Sequence, residues 1–311
     1  MTKIKDFPKD EFVLSGNGSC PGCPATLALR LVGKALGKNA VILLTPSCTV
    51  ASMGGTPKTA YNWPSFNICF ATAGSSASGM VYAYESMKAK GKWQGEIPTI
   101  CNWVGDGGTY DIGLQALSAA AERNDNFIHF CYNNEAYSNT GVQRSGATPR
   151  LAATTTTPTG KKMPKKSMPQ IMLEHNIPYM ATASLAYPED LYDKVVKAKN
   201  TKGFKYIEIF APCYTGWQFP PNQTIELSRK AVKCGAWLLW EAEYGNVTIS
   251  GPTKRILEGK VPKDPVDDYL LCQGRFIKNL RGEDRAEKIA QFQADIDREM
   301  EFMRQRAAIQ L

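Results

Sequence analysis

The chain has 311 residues, of which 43% are hydrophobic and 21% charged, and 37 basic against 29 acidic side chains give a net charge of +8. This composition excludes a disordered chain, the length allows one large or two ordinary domains, and the mild positive charge suits a phosphate-bearing ligand or an acidic partner without pointing to nucleic acid. No apolar run is long enough to span a membrane, and the opening Met-Thr-Lys-Ile-Lys-Asp carries no signal-type stretch, so a cytoplasmic protein is expected.

In chain order, apolar periodicity predicts a helix over Ala25–Leu36 and strands over Val41–Thr45 and Phe66–Phe70. A helix over Ser75–Lys90, a strand over Thr99–Val104 and a helix over Ile112–Arg123 follow, then a strand over Phe127–Tyr132. A helix over Pro188–Ala198, a strand over Tyr206–Phe210 and a helix over Thr224–Cys234 continue the alternation. Strand–helix alternation implies an α/β fold: a parallel sheet with helices on both faces and ligands at the carboxyl ends of the strands. Residues 143–166, rich in Thr, Pro, Gly and basic side chains, break the pattern and are too long for a routine connection. They are either a surface excursion or a loop lying over a bound anion or against a partner. The segment 283–311 reads as a terminal helix with Ile289, Phe292, Ile296, Met300 and Met303 in one apolar stripe, for ordinary packing or for docking on a partner, and is set apart from a main unit over 1–282.

Only two histidines, His129 and His175, are present, which argues against chemistry built on a His base or a multi-His metal site. Nine cysteines, an odd number in a chain expected to be cytoplasmic, make a disulfide framework improbable and metal ligation the leading use for some of them. Cys20-Pro-Gly-Cys23 lies in a Gly-rich turn, and Cys48 follows just past the first strand. Thiolates so arranged suit zinc or an iron–sulfur cluster, and a redox dithiol is a third reading. Spacing alone does not choose a fourth ligand. Cys69, Cys101 and Cys131 fall in predicted strands and read as small buried apolar residues, whereas Cys213 lies in a turn just past a strand and is the best candidate.

The strand over Thr99–Val104 ends in Gly105-Asp106-Gly107-Gly108, and the next ends in Asn133-Asn134-Glu135-Ala136. A carboxylate and an amide at neighbouring strand ends can share a hard cation such as magnesium, while glycine backbone and a helix N-terminus from about Asp111 approach a diphosphate. Asn134 stands 28 positions after Asp106, the spacing of the magnesium–diphosphate signature of thiamine-diphosphate enzymes.

From about Gly16 to Asn279 the sequence resembles the β subunit of 2-oxoacid:ferredoxin oxidoreductases of the pyruvate:ferredoxin oxidoreductase type. The matching segments are Cys-Pro-Gly-Cys (20–23), Gly-Asp-Gly-Gly-Thr-Tyr-Asp-Ile-Gly-Leu-Gln-Ala-Leu-Ser (105–118), Asn-Asn-Glu-Ala-Tyr-Ser-Asn-Thr-Gly (133–141), Gln-Arg-Ser-Gly-Ala-Thr-Pro (143–149), the Thr run with Pro158, Gly160 and Lys161, Ala-Thr-Ala-Ser (181–184) and Pro-Cys-Tyr-Thr-Gly-Trp (212–217). The resemblance implies a thiamine-diphosphate-binding fold with Gly105, Asp106, Gly107, Gly108, Asn134, Ala136 and Thr140 around the cofactor. It implies magnesium on Asp106, the Asn134 side chain and the Ala136 carbonyl, and a 4Fe-4S cluster on Cys20, Cys23, Cys48 and Cys213. It further implies that Asn139 faces the reacting centre, and that the Glu required against the aminopyrimidine belongs to another subunit, so that the chain works only with partners and passes electrons to ferredoxin.

Departures from the pyruvate pattern at Asn17, Pro24, Thr45–Val50 and Ala51–Thr59 leave the ligands intact and tilt the expected substrate slightly from pyruvate towards oxalate. Two other readings compete: a thiamine-dependent decarboxylase or carboligase without redox function, and a zinc-stabilised α/β binding module.

Overall fold

The computed structural model describes residues 2–55 and 57–309. Thr56, within the unusual stretch Ala51–Thr59, and Met1, Gln310 and Leu311 at the ends of the two expected segments lie outside the described residues.

In chain order the elements are α1 (Pro24–Leu36), β1 (Ala40–Leu44), α2 (Cys48–Met53), β2 (Ser65–Asn67), α3 (Ala73–Ala89), β3 (Thr99–Gly105), α4 (Leu114–Glu122), β4 (Ile128–Asn133), α5 (Met168–Glu174), β5 (Tyr179–Ser184), α6 (Pro188–Asn200) and β6 (Lys205–Phe210). They continue with α7 (Tyr214–Trp217), α8 (Thr224–Lys233), β7 (Trp240–Glu243), β8 (Asn246–Ile249), α9 (Gly251–Leu257), α10 (Val266–Leu270), α11 (Gly274–Ile277) and α12 (Arg285–Ala308). Among the described residues the strands form one sheet in the order β2-β1-β3-β4-β6-β5-β7-β8. The first six run parallel, and the β7–β8 hairpin closes the edge antiparallel.

The central strands β1, β4, β5 and β6 are buried along their whole length, as strands covered on both faces must be. On one face, Leu29 and Val32 of α1 and Leu191 and Val195 of α6 pack against Ile42, Leu44, Trp103 and Ile207. On the other, Ala77 and Val81 of α3, Leu117 and Ala120 of α4 and Met172 of α5 pack against Val41, Leu43, Ile100 and Tyr206. A third cluster gathers Trp217, Phe219, Leu227, Tyr269 and Phe276 beyond the carboxyl end of β6.

The terminal helix lays its stripe on this same chain. Phe292 and Ile296 join the third cluster and Met303 the second, so the stripe packs intramolecularly and α12 is continuous with the main core. The long loop is likewise pinned. Ser145–Pro149 are buried, Lys161 Nζ donates to the Thr148 carbonyl at 2.6 Å, the Leu151 N–H donates to the Lys161 carbonyl at 2.9 Å and the Lys161 N–H to the Ala152 carbonyl at 3.2 Å, and Lys166 Nζ reaches the Tyr110 carbonyl. Cys101 and Cys131 are buried as expected. Cys69 is exposed, because β2 ends at Asn67 and the chain turns away before reaching it.

After β1 the chain steps outward to β2 and then returns to the opposite side of β1 as β3. The loops leaving β1 and β3 therefore diverge and open a crevice at the carboxyl end of the sheet, where open α/β sheets bind ligands.

Candidate functional site

A cavity of about 160 Å³ fills that crevice. Pro46, Ser47 and Cys48 line it after β1, Gly105–Gly108 after β3, and Asn134 with Ala136–Thr140 after β4. All the residues expected around the cofactor are thus brought together, including Asn139 and Thr140 at the exposed rim. Thr140 Oγ1 donates to Gln143 Oε1 at 2.6 Å, and no hydrogen bond engages the Asn139 side chain among the described residues.

The chain does not wait until Asp111 to become helical. Asp106 already has helical backbone, and Gly107–Ile112 form a wide turn closed by Gly113 N–H to Gly108 carbonyl at 3.0 Å, five residues back. The glycines serve close approach: a Cβ on Gly107 would lie 2.3 Å from the Tyr137 ring, and one on Gly108 2.7 Å from Val104.

Asp106 is buried and, among the described residues, has no Lys, Arg or His ion-pair partner. Ser145 Oγ donates to its Oδ2 at 2.5 Å, and the Asn134 N–H donates to Oδ1 at 3.3 Å. Burial pushes the carboxyl up to about 8. The Asn134 side-chain oxygen accepts from Ser138 Oγ at 2.8 Å, and it stands 3.1 Å from Asp106 Oδ1 and 2.7 Å from the Ala136 carbonyl oxygen. This end of the Asn134 amide therefore stands between the Asp106 carboxylate and the Ala136 carbonyl. Two arrangements satisfy them: the amide turns its nitrogen inward, or a hard cation sits among the oxygens.

Of the four expected thiols, Cys48 lines the cavity. Cys23 caps the N-terminus of α1, Cys48 opens α2 behind its cap Ser47, and Cys213 caps α7. Gly22, at φ +73°, lets the Cys20–Cys23 turn pass Pro221, whose carbonyl a Cβ would meet at 2.7 Å. Burial first, and then the neighbouring Cys213, Cys23 and Cys20, push the Cys48 thiol up to about 12. Burial likewise raises Cys213. The four expected thiols are therefore mutual neighbours. Cys272 is half-buried and donates to the Tyr269 carbonyl. Among the described residues no three His, Cys, Asp or Glu side chains close on a common point as they would around a single ion.

Residues 48–209 match the thiamine pyrophosphate enzyme family, C-terminal TPP-binding domain. Pyruvate synthase subunit PorB of Methanothermobacter thermautotrophicus is 45% identical over 90% of this chain and 94% of its own length. Ketoisovalerate oxidoreductase subunit VorB of Pyrococcus horikoshii is 42% identical over 89% and 88%. This chain belongs to the β subunits of the 2-oxoacid:ferredoxin oxidoreductases. A solved 2-oxoglutarate:ferredoxin oxidoreductase from Magnetococcus marinus shares the fold, with a TM-score of 0.53 at 20% identity over 73% of this chain and 80% of that one.

Within this family framework, the sequence motifs do not reveal the roles of several residues of the site. Ser145, which bonds Asp106, and Trp217 both fall in matching segments that give no sign of what either touches. Glu208, fully buried on β6, accepts from Tyr110 at 2.5 Å, Tyr206 at 2.6 Å and Asn133 Nδ2 at 2.6 Å, and so holds the end of β4. Trp217 Nε1 donates to the Asn134 carbonyl at 2.8 Å, and Arg275 pairs with Glu135 at 2.7 Å. Arg275 lies 140 positions from Glu135, beyond the reach of any local pattern.

Proposed function

We propose that Asp106, Asn134 and Ala136 hold magnesium, that Gly105–Gly108 and Thr140 border the diphosphate of thiamine diphosphate, and that Cys20, Cys23, Cys48 and Cys213 hold a 4Fe-4S cluster. The carrying observation is that one end of the Asn134 amide stands 3.1 Å from Asp106 Oδ1 and 2.7 Å from the Ala136 carbonyl oxygen, all three groups being buried. A divalent cation there also supplies the positive charge that the unpaired, buried Asp106 lacks. The thiol set supports a metal centre, because Cys48 neighbours Cys20, Cys23 and Cys213, and four thiolates ligate either zinc or an iron–sulfur cluster. The family's link to ferredoxin favours the cluster.

The activity follows as oxidative decarboxylation of a small 2-oxoacid, with electrons passed towards ferredoxin. Thiamine diphosphate supplies a nucleophilic carbon and an electron sink when bound, and an iron–sulfur cluster takes up single electrons. This chain's residues bind and orient: Asp106 and Asn134 fix the diphosphate end, Asn139 offers an uncharged donor at the cavity mouth, and Phe70, Tyr132 and Tyr137 exclude water from its walls. The acidic partner of the aminopyrimidine comes from a further subunit, so the chain alone is inactive. The relatives named for pyruvate and ketoisovalerate favour pyruvate or another monocarboxylic 2-oxoacid over oxalate. Dye reduction by the assembled enzyme with pyruvate, 2-ketoisovalerate and oxalate decides the substrate, and oxalate as the best substrate would reverse this preference.

Asp106→Ala tests the centre. Thiamine diphosphate binding is expected to weaken by more than the roughly 10–100-fold that loss of an outer ligand-orienting group costs. Unchanged, magnesium-dependent binding in the variant would remove the assignment.

A further inference from the structure

The loop that carries Asn134 contains a residue in the left-handed region, Glu135 at φ +59°, a conformation that residues with a side chain seldom adopt. The two backbone groups of Glu135 and one of its carboxylate oxygens are engaged. Its N–H donates to Asn133 Oδ1 at 2.8 Å, and its carbonyl accepts from Thr148 Oγ1 at 2.6 Å. Its carboxylate accepts from Arg275 Nη2 at 2.7 Å, with both side chains only 3% exposed. The Arg275 guanidinium carbon lies over Trp217, 3.3 Å from the ring centroid, and Nε donates to Gln273 Oε1 at 2.9 Å. Trp217 in turn donates to the Asn134 carbonyl. The residue before Glu135 and the residue after it supply two of the three groups proposed to hold magnesium.

A buried ion pair adds little net stability over an apolar filling of the same shape. What it adds here is direction. The planar guanidinium is stacked on one side and bonded at its edge, so it holds the Glu135 carboxylate in one place and, through Trp217, the Asn134 carbonyl as well. Glu135 also borders a cavity of about 330 Å³ between Pro149–Gln170 and α12, so its side chain has room to swing away once the guanidinium is removed.

We infer that Arg275 and Glu135 are a positioning pair for the metal centre. They touch neither metal nor cofactor, and they fix the left-handed turn that aims the Asn134 side chain and the Ala136 carbonyl at a common point. This rests on the proposed magnesium site.

The test titrates Mg²⁺ against thiamine diphosphate binding in the full-length chain co-produced with its partner subunits, with thermal stability measured alongside. The variants are Arg275→Met, Arg275→Lys, Glu135→Gln and the double variant Glu135→Gln/Arg275→Met, with Asp106→Ala as reference. Each single neutralisation is expected to raise the Mg²⁺ concentration at half-saturation roughly 10–100-fold, the usual cost of losing a group that orients a metal ligand. Arg275→Lys keeps the charge but not the stacked fork, and is expected to show a smaller shift in a well-folded protein. The double variant leaves no unpaired buried charge, so its thermal stability should recover while its Mg²⁺ dependence stays shifted. Parental Mg²⁺ dependence in Arg275→Lys and the double variant, with Asp106→Ala still shifted, would overturn the pair's role alone. Parental behaviour in Asp106→Ala as well would overturn the metal site and this inference with it.

Discussion

The oxygen cluster lines the cavity, the thiol cluster borders it only through Cys48, and the two are built in opposite ways. Around Asp106 and Asn134 the polypeptide supplies its own order: Ser145, Trp217, Thr148, Glu208 and the Glu135–Arg275 pair hold the strand ends by direct bonds, most of them buried. Around the thiols, Cys20 is exposed, Cys23, Cys48 and Cys213 are half-buried, and the backbone reaches them from three separate loops. Ser19–Ser52 and Thr224–Gly22 contacts tie those loops together at 3.2 Å each. The first centre is preformed by folding. The second brings its ligands near one another and leaves the final closure to whatever they bind, as metal sites coupled to folding do.

The largest effect that tests this contrast is expected at Cys213. Cys213→Ser should abolish iron retention and electron transfer to a dye, and should expose the Cys20–Cys23 turn to proteolysis while thiamine diphosphate still binds. Cys101→Ala, in the core of β3, should keep the iron. Iron lost from Cys272→Ser but retained in Cys213→Ser would show that the fourth thiol is misassigned. Next comes Asn139→Ala at the rim, where a donor to a developing oxyanion is worth on the order of 10²–10³ in rate. Turnover of the assembled enzyme should fall by about that factor with thiamine and iron contents unchanged. A variant with full turnover but lower thermal stability would mark Asn139 as a turn residue only.

The smallest effect lies at the opposite end of the sheet and leaves both centres alone. Lys205, buried at the start of β6, donates to Asn126 Oδ1 at 2.8 Å, and burial lowers its ammonium to about 7 from an ordinary 10.5. Between those values the unfolded chain binds more protons than the folded one, so this group makes stability rise with pH from about 7 to 10.5. Lys205→Met should flatten that rise and lift the melting temperature near pH 7 by on the order of 2–4 °C. Asn126 keeps the Gly203 N–H at 3.0 Å. A melting profile with unchanged pH slope would refute the assignment.

The two centres also differed in how far they could be read in advance. Asp106 and Asn134 were legible because glycine flanks one, and both end apolar runs that can only be buried parallel strands. Cys20 and Cys23 announce themselves by proximity in sequence. The strand Tyr179–Ser184 was not anticipated, since Ala, Thr and Ser dilute its apolar signal, and burial by tertiary contact rather than propensity makes it a strand. The six-residue helix at Cys48–Met53 was signalled only by its cap, Ser47. The β7–β8 hairpin turns through Tyr244 and Gly245, both at positive φ, and Gly245-Asn246 was its only mark. The partners of Glu135 and Asn134, Arg275 and Trp217, come from distant segments that meet only when the third hydrophobic cluster forms.

Helix α2 borders both compartments: Ser47 and Cys48 line the cavity, and Cys48 neighbours the other three thiols. A change of sequence between Pro46 and Val50 therefore cannot alter what the cavity admits without also disturbing the sulfur beside it. Under the proposed assignment, selectivity for the acid and affinity for electrons would be inherited together through one turn of backbone. A graft that moves preference between relatives would have to carry the whole stretch from Thr45 to Met53 rather than single side chains.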